Sequence, residues 1–108
     1  MQQIKNITPK QLMEGIIGHY AHGVNMSFGL VEIEEGTIMP LHKHIHEQIT
    51  FILEGQLDMD IDGTAYSFTP GCIHVIPSNV WHGAYAKTAC KLIDVFSPVR
   101  EEYKTFLK

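Results

Sequence analysis

The sequence predicts an all-β fold, a small barrel or a sandwich. Three observations carry this. Short runs rich in Val, Ile, Phe and Tyr recur along the chain. Gly, Pro, Asn or Asp breaks them at close intervals. Helical character is confined to two short stretches, one near each end. With 108 residues, 44% of them hydrophobic, there is material for one core and no second. One domain over residues 1–108 is therefore expected.

Taken in order, Thr8 to Gly15 reads as helical. Gly15 to Ala21 is a first strand. Asn25 to Ile33 is a second, with Met26, Phe28 and Leu30 sharing a face. Glu34-Glu35-Gly36 turns the chain. Ile49 to Leu53 is strongly β, and Glu54-Gly55 ends it. Gln56 to Ile61 and Ala65 to Phe68 flank Asp62-Gly63, a hairpin turn. Pro70-Gly71 turns again, and Cys72 to Ile76 closes at Pro77-Ser78-Asn79. Trp81 to Ala86 and Lys91 to Phe96 complete the strands. After Pro98 the tail reads as a short C-terminal helix, with Val99, Tyr103, Phe106 and Leu107 on one face.

Eight Lys and Arg face twelve Asp and Glu, a formal net charge of −4. That balance speaks against a nucleic-acid module or a polybasic membrane anchor. No run approaches the ~20 apolar residues of a membrane helix. The opening MQQIKNITPKQ has no apolar core and no cleavage site of a signal peptide. Cys72 and Cys90 cannot make a disulfide framework; two buried thiols in a reducing cytoplasm are expected.

Seven histidines stand out. His42 and His44 are two apart, so a strand would put both on one face. Gln48 shares their parity if that strand continues. His82 follows the Pro77 turn and joins them if its strand is a neighbour. Three imidazoles and an amide oxygen make a plausible shell for a divalent transition metal with positions left open. His46 shares the parity and could compete as a ligand. His19, His22 and His74 read as ordinary strand residues.

These residues carry a resemblance to the cupins. Gly36, His42, His44 and Gly55 fit the first cupin motif, with Gln48 where Glu usually stands. Gly71, Pro77 and His82 fit the second. There Asn79 replaces a Gly and Ala86 the final Asn. Asn tolerates a left-handed turn, so the first replacement is mild. Fifteen residues separate the motifs. The resemblance implies a jelly-roll barrel with its core at roughly residues 24–97. A neutral Gln in place of Glu leaves the ion's charge uncompensated. Such a site should be more Lewis acidic and should favour an anionic ligand. Nickel, iron, manganese, zinc and cobalt all suit these donors.

Within Leu92 to Phe96, Asp94 is a lone carboxylate among apolar neighbours, costly to bury unless paired or protonated. Alternation puts Leu92, Asp94 and Phe96 on one face and Ile93 and Val95 on the other. Arg100 could fold back over the mouth, or simply pair with Asp94 to pin the tail. The run DVFSPVRE, Asp94 to Glu101, resembles the pectin-degradation cupins. That resemblance implies metal binding at His42, His44, Gln48 and His82. It implies acid/base work at Asp94, substrate contact at Phe96 and carboxylate contact at Arg100. The implied reaction converts a 4,5-unsaturated uronate to a linear 5-keto-4-deoxyuronate, with no redox cofactor. An anionic sugar acid is thus the expected partner, in a cytoplasmic homodimer joined through outward apolar faces such as Ile93 and Val95. A cupin dioxygenase using the same ligands and a non-catalytic ligand-binding cupin are the alternatives.

Overall fold

Ten antiparallel strands form two facing sheets in the computed structural model, which describes residues 1–104. The strands are β1 (Lys10–Met13), β2 (Ile16–His22), β3 (Ser27–Ile33), β4 (Ile38–His42) and β5 (Glu47–Glu54). They continue as β6 (Leu57–Ile61), β7 (Thr64–Phe68), β8 (Ile73–Ile76), β9 (His82–Ala86) and β10 (Cys90–Ser97). One sheet runs β1-β2-β3-β10-β5-β8, the other β4-β9-β6-β7. The chain crosses repeatedly between sheets, as a jelly roll requires.

Period-two burial explains the strands. In β3, Ser27, Gly29, Val31 and Ile33 point inward while Phe28 and Glu32 stay exposed. Met26, Phe28 and Leu30 do share a side, but it is the outward one, with Phe28 at 38% exposure. The core joins Ile16, Val31, Ile52, Ile76 and Leu92 of the larger sheet to Leu57, Met59, Ile61 and Phe68 of the smaller. The Asp62-Gly63 hairpin has φ of 53° and 82°, the positive pair of a type I′ turn. Asn79 takes φ 60°, in the left-handed region that the second motif needs there.

Two expectations are corrected, the helix at Thr8 to Gly15 and the burial of both cysteines. Thr8 to Gly15 is not helical; Lys10–Met13 is an edge strand that pairs with β2 through a bulge. Leu12 and Met13 pack against the core, so tertiary pairing overrides the modest local preference of this stretch. Among the described residues the short C-terminal helix is the turn Glu101–Tyr103, with Val99 buried just before it. Phe106 and Leu107 lie outside the described residues. Both cysteines are free, but Cys72 is half-buried and only Cys90 is fully buried.

Candidate metal centre and its cavity

His42 ends β4 and His82 opens β9, directly opposite each other in the smaller sheet. β4 lies at the edge and bulges between Met39 and His42. Pro40 sits in that bulge, where its missing N–H costs no ladder bond. Gly83 lets the bulge come close. A Cβ there would stand 2.9 Å from the Met39 carbonyl oxygen and 3.2 Å from the Leu41 nitrogen. Gly83→Ala is therefore expected to displace His42 from His82. It should cost about 1–3 kcal/mol of stability and weaken divalent-ion binding at the cluster. Thermal denaturation and a metal titration would check both.

His44 lies beyond the end of β4, in the connection to β5. Ring centroids are 4.3 Å apart for His42 and His82, 5.0 Å for His44 and His82, and 5.8 Å for His42 and His44. One ring nitrogen from each falls within 4.8 Å of the others. Three imidazoles so placed could hold a metal ion.

The hydrogen bonds prepare that role. Nδ1 of His42 lies 3.0 Å from the Pro40 carbonyl, and Nδ1 of His82 lies 2.9 Å from that of Val80. Donation from Nδ1 to a carbonyl leaves Nε2 with a free lone pair, the state a ligand needs. His44 is in tension. Its Nδ1 faces the His46 carbonyl at 3.0 Å and its Nε2 faces Gln48 Oε1 at 3.1 Å. Both partners are acceptors, and a neutral ring has one proton. Either tautomer leaves two lone pairs opposed. Protonation would satisfy both, but burial, then the charges of Arg100 and His82, lower the His44 pKa to about 4. A cation beside Nε2 and Oε1 resolves the conflict, so these donors fit a metal ion.

Gln48 reaches the cluster by an unexpected route. The strand holding His42 does not continue to it. Gln48 lies on β5, in the opposite sheet. Its amide is oriented by its own donations, to Thr50 Oγ1 at 2.9 Å and Asp94 Oδ1 at 3.2 Å. Thr50 in turn donates to the same carboxylate oxygen at 2.7 Å. Asp94 faces inward with Leu92 and Phe96, as alternation predicts. The residue as a whole is half-buried, yet its carboxyl sits against this network. Burial pushes its pKa up to about 6, against the lowering effect of the Thr50 and Gln48 bonds. Nothing in the sequence motifs singles out Thr50. The available signal is its parity with Gln48 on β5.

Arg100 does fold back, but its ion pair is with Glu102, at 2.7 Å, rather than Asp94. Nε also donates to Glu102 and Nη2 to the Tyr103 hydroxyl. The guanidinium lies over the Phe96 ring at 4.7 Å and the Tyr103 ring at 4.2 Å. Its backbone N–H donates to the buried Ser27 hydroxyl, which also faces Nδ1 of His22. The tail is thus fastened to β2 and β3, and Arg100 is buried at the cavity wall.

The other histidines stay apart. His19 faces the Ile7 carbonyl, and His74 packs on Tyr66 and Phe68. His46 is buried beside His44 and Phe96 but falls outside the three-nitrogen cluster.

The cluster, Gln48, Thr50, Asp94, Phe96 and Arg100 all line one cavity of about 530 Å³, part of it open to solvent. Apolar side chains such as Leu12, Val31, Met39 and Met59 form the rest of its wall. An apolar pocket with a few convergent polar groups is a common form of small-molecule site.

Known proteins share this arrangement of strands. Residues 29–96 match the family model described as Cupin domain. The pectin degradation protein KdgF of Dickeya dadantii (strain 3937) is 32% identical over 75 residues, 68% of each chain. KdgF from Halomonas sp. superposes with a TM-score of 0.85 at 26% identity, covering 92% of this chain and 94% of that one. An RmlC-like cupin from Shewanella frigidimarina NCIMB 400 gives 0.90 at 25% identity, covering 95% and 94%. Family match, fold and motif residues agree: this chain belongs to the cupin family, within which it resembles the pectin-degradation proteins.

Proposed function

We propose that this protein is a metal-dependent enzyme that converts 4,5-unsaturated uronate monomers to linear 5-keto-4-deoxyuronate. One observation carries the reading: the imidazole cluster, Asp94 and Arg100 line a single cavity. Similarity to proteins named for pectin degradation supports it.

His42, His44, His82 and Gln48 are the proposed ligands. A divalent ion held by them supplies Lewis acidity toward the oxygens of a bound sugar acid. Arg100 offers the substrate carboxylate the N–H groups of Nη1, since Glu102 and Tyr103 engage Nε and Nη2. Phe96 gives the ring an apolar wall. Asp94 moves the proton. Its carboxylate accepts the proton of the anomeric hydroxyl as the bond from carbon 1 to the ring oxygen breaks. That frees the aldehyde and leaves an enolate across carbon 4, carbon 5 and the former ring oxygen. Asp94, now protonated, delivers a proton to carbon 4, and carbon 5 becomes a ketone. Formula and oxidation level are conserved. A carboxyl with pKa near 6 can serve in both directions near neutral pH.

The test is the decay of alkene absorbance in an unsaturated uronate monomer, corrected for spontaneous opening. Acceleration without oxygen consumption supports this reading over a dioxygenase. Arg100→Ala should raise KM more than it lowers kcat, by about 10-fold or more, because a charge-assisted bond to the substrate is lost. Steady-state kinetics over a range of uronate concentrations would show it.

The protein is proposed to work as a homodimer. The outward face of the larger sheet leaves Ile17, Phe28 and Ile49 at 36–38% exposure around Ile93 and Val95. Sedimentation of the purified protein tests this part.

A further inference from the structure

Tyr20 has no part in the chemistry above, yet it lines the same cavity. The residue is 5% exposed, and its hydroxyl has no hydrogen-bond partner among the described residues. A buried, unpaired hydroxyl costs free energy that an apolar Phe would not. The surroundings look built to hold it. Tyr20 faces Gly29 across β2 and β3, and Gly29 faces Asp94 across β3 and β10. The three share one cross-strand row, and Gly29 puts no side chain between the phenol and the acid. The Tyr20 ring fills the space two glycines leave. A Cβ at Gly29 would stand 2.4 Å from the ring, and one at Gly18 would stand 2.4 Å from the ring and 2.6 Å from the hydroxyl oxygen. Tyr103 covers the ring at a centroid distance of 4.7 Å. The phenol is thus fixed in position with its polar atom unsatisfied.

We propose that the Tyr20 hydroxyl binds an uncharged oxygen of the sugar, a hydroxyl group, within the cavity it shares with the imidazole cluster. The proposal rests on the uronate reading of the site. A neutral phenol suits a neutral partner. Burial raises its pKa, so it stays protonated across the working range. Ile16 and Val31, which line the same cavity, offer an anion nothing. An uncharged sugar oxygen, by contrast, gains a donor that has no other partner. This arrangement favours sugar acids over simple carboxylates, which carry no hydroxyl to meet the phenol.

Tyr20→Phe in the metal-loaded protein is the test. It keeps the ring and removes only the hydroxyl. The expected result has three parts. The kcat/KM for an unsaturated uronate monomer falls about 10-fold. A saturated uronate, which cannot be linearised, binds more weakly by a similar factor. The ligand-free melting temperature holds or rises. Gly18→Ala, which moves the hydroxyl without removing it, should lower kcat/KM in the same direction while the protein stays folded. Unchanged kcat/KM in Tyr20→Phe, beside an active wild type, overturns the inference and leaves the uronate reading standing. A melting temperature lowered by several degrees assigns the hydroxyl a structural partner and also overturns it. A wild type that neither converts nor binds any uronate overturns the uronate reading, and this inference with it.

Discussion

Asp94→Asn is expected to lower kcat on an unsaturated uronate by about 10²–10⁴-fold and, in the same variant, to stabilise the metal-free protein. The two effects share a cause. Asn keeps the shape of Asp and can still accept from Thr50 and Gln48 through its amide oxygen. It cannot carry a proton between substrate atoms. The stability gain follows from burial. Asp94 is raised from 3.8 to about 6 in the fold, so the folded state favours the neutral form. As pH rises through that interval the unfolded chain ionises first, and the native state loses its advantage. Asn does not ionise. At pH 8 the variant should be more stable by about 3 kcal/mol, the equivalent of that pKa difference. Near pH 3.5 the gain should vanish. Urea denaturation at both pH values, with chelator present, reads the difference. Lost stability at pH 8 would mean the carboxylate is held by more than these bonds. A retained kcat would remove Asp94 from the chemistry.

His44→Ala is expected to abolish metal binding and bring the rate down to that of spontaneous opening. His44 is the choice among the three because it belongs to no strand, so its loss leaves the β4–β9 pairing intact. Two imidazoles and an amide remain, one nitrogen donor short of the proposed shell. The metal-free variant should not lose stability, because the opposed lone pairs at His46 and Gln48 disappear with the ring. Metal content by elemental analysis should fall from one per chain to near zero, with the melting temperature of the metal-free protein held. A variant that keeps its metal would show that the ion sits elsewhere.

Much of this site is legible in the sequence. The spacing of His42, His44 and His82 is local information, and the turns between them are set by Gly, Pro and Asn. The β4–β9 pairing then needs only the usual preference of strands for neighbours in a closed barrel. What the sequence withholds depends on which sheet a strand joins. Gln48 has the right parity for the wrong reason, since it reaches the cluster from the facing sheet. Met26, Phe28 and Leu30 alternate correctly but face out, because alternation says which residues share a side and not which side is inside. Lys10–Met13 is a strand only because β2 lies beside it. Arg100 has two carboxylates within reach of its tail, and the short separation to Glu102 decides between them. Tyr20 and Thr50 look ordinary in sequence. Their roles come from cross-strand register with Asp94, a long-range property.

The most direct test follows one preparation through three states: as purified, stripped by a strong chelator, and reloaded with nickel, iron, manganese, zinc or cobalt. Each state is mixed with an unsaturated uronate monomer and the alkene absorbance is followed against spontaneous decay. Fast decay is expected first, then decay at the spontaneous rate, then recovery with at least one metal. Equal decay in all three states, above the spontaneous rate, would contradict the metal's role. No acceleration in any state, across several uronates, would contradict the proposed reaction itself.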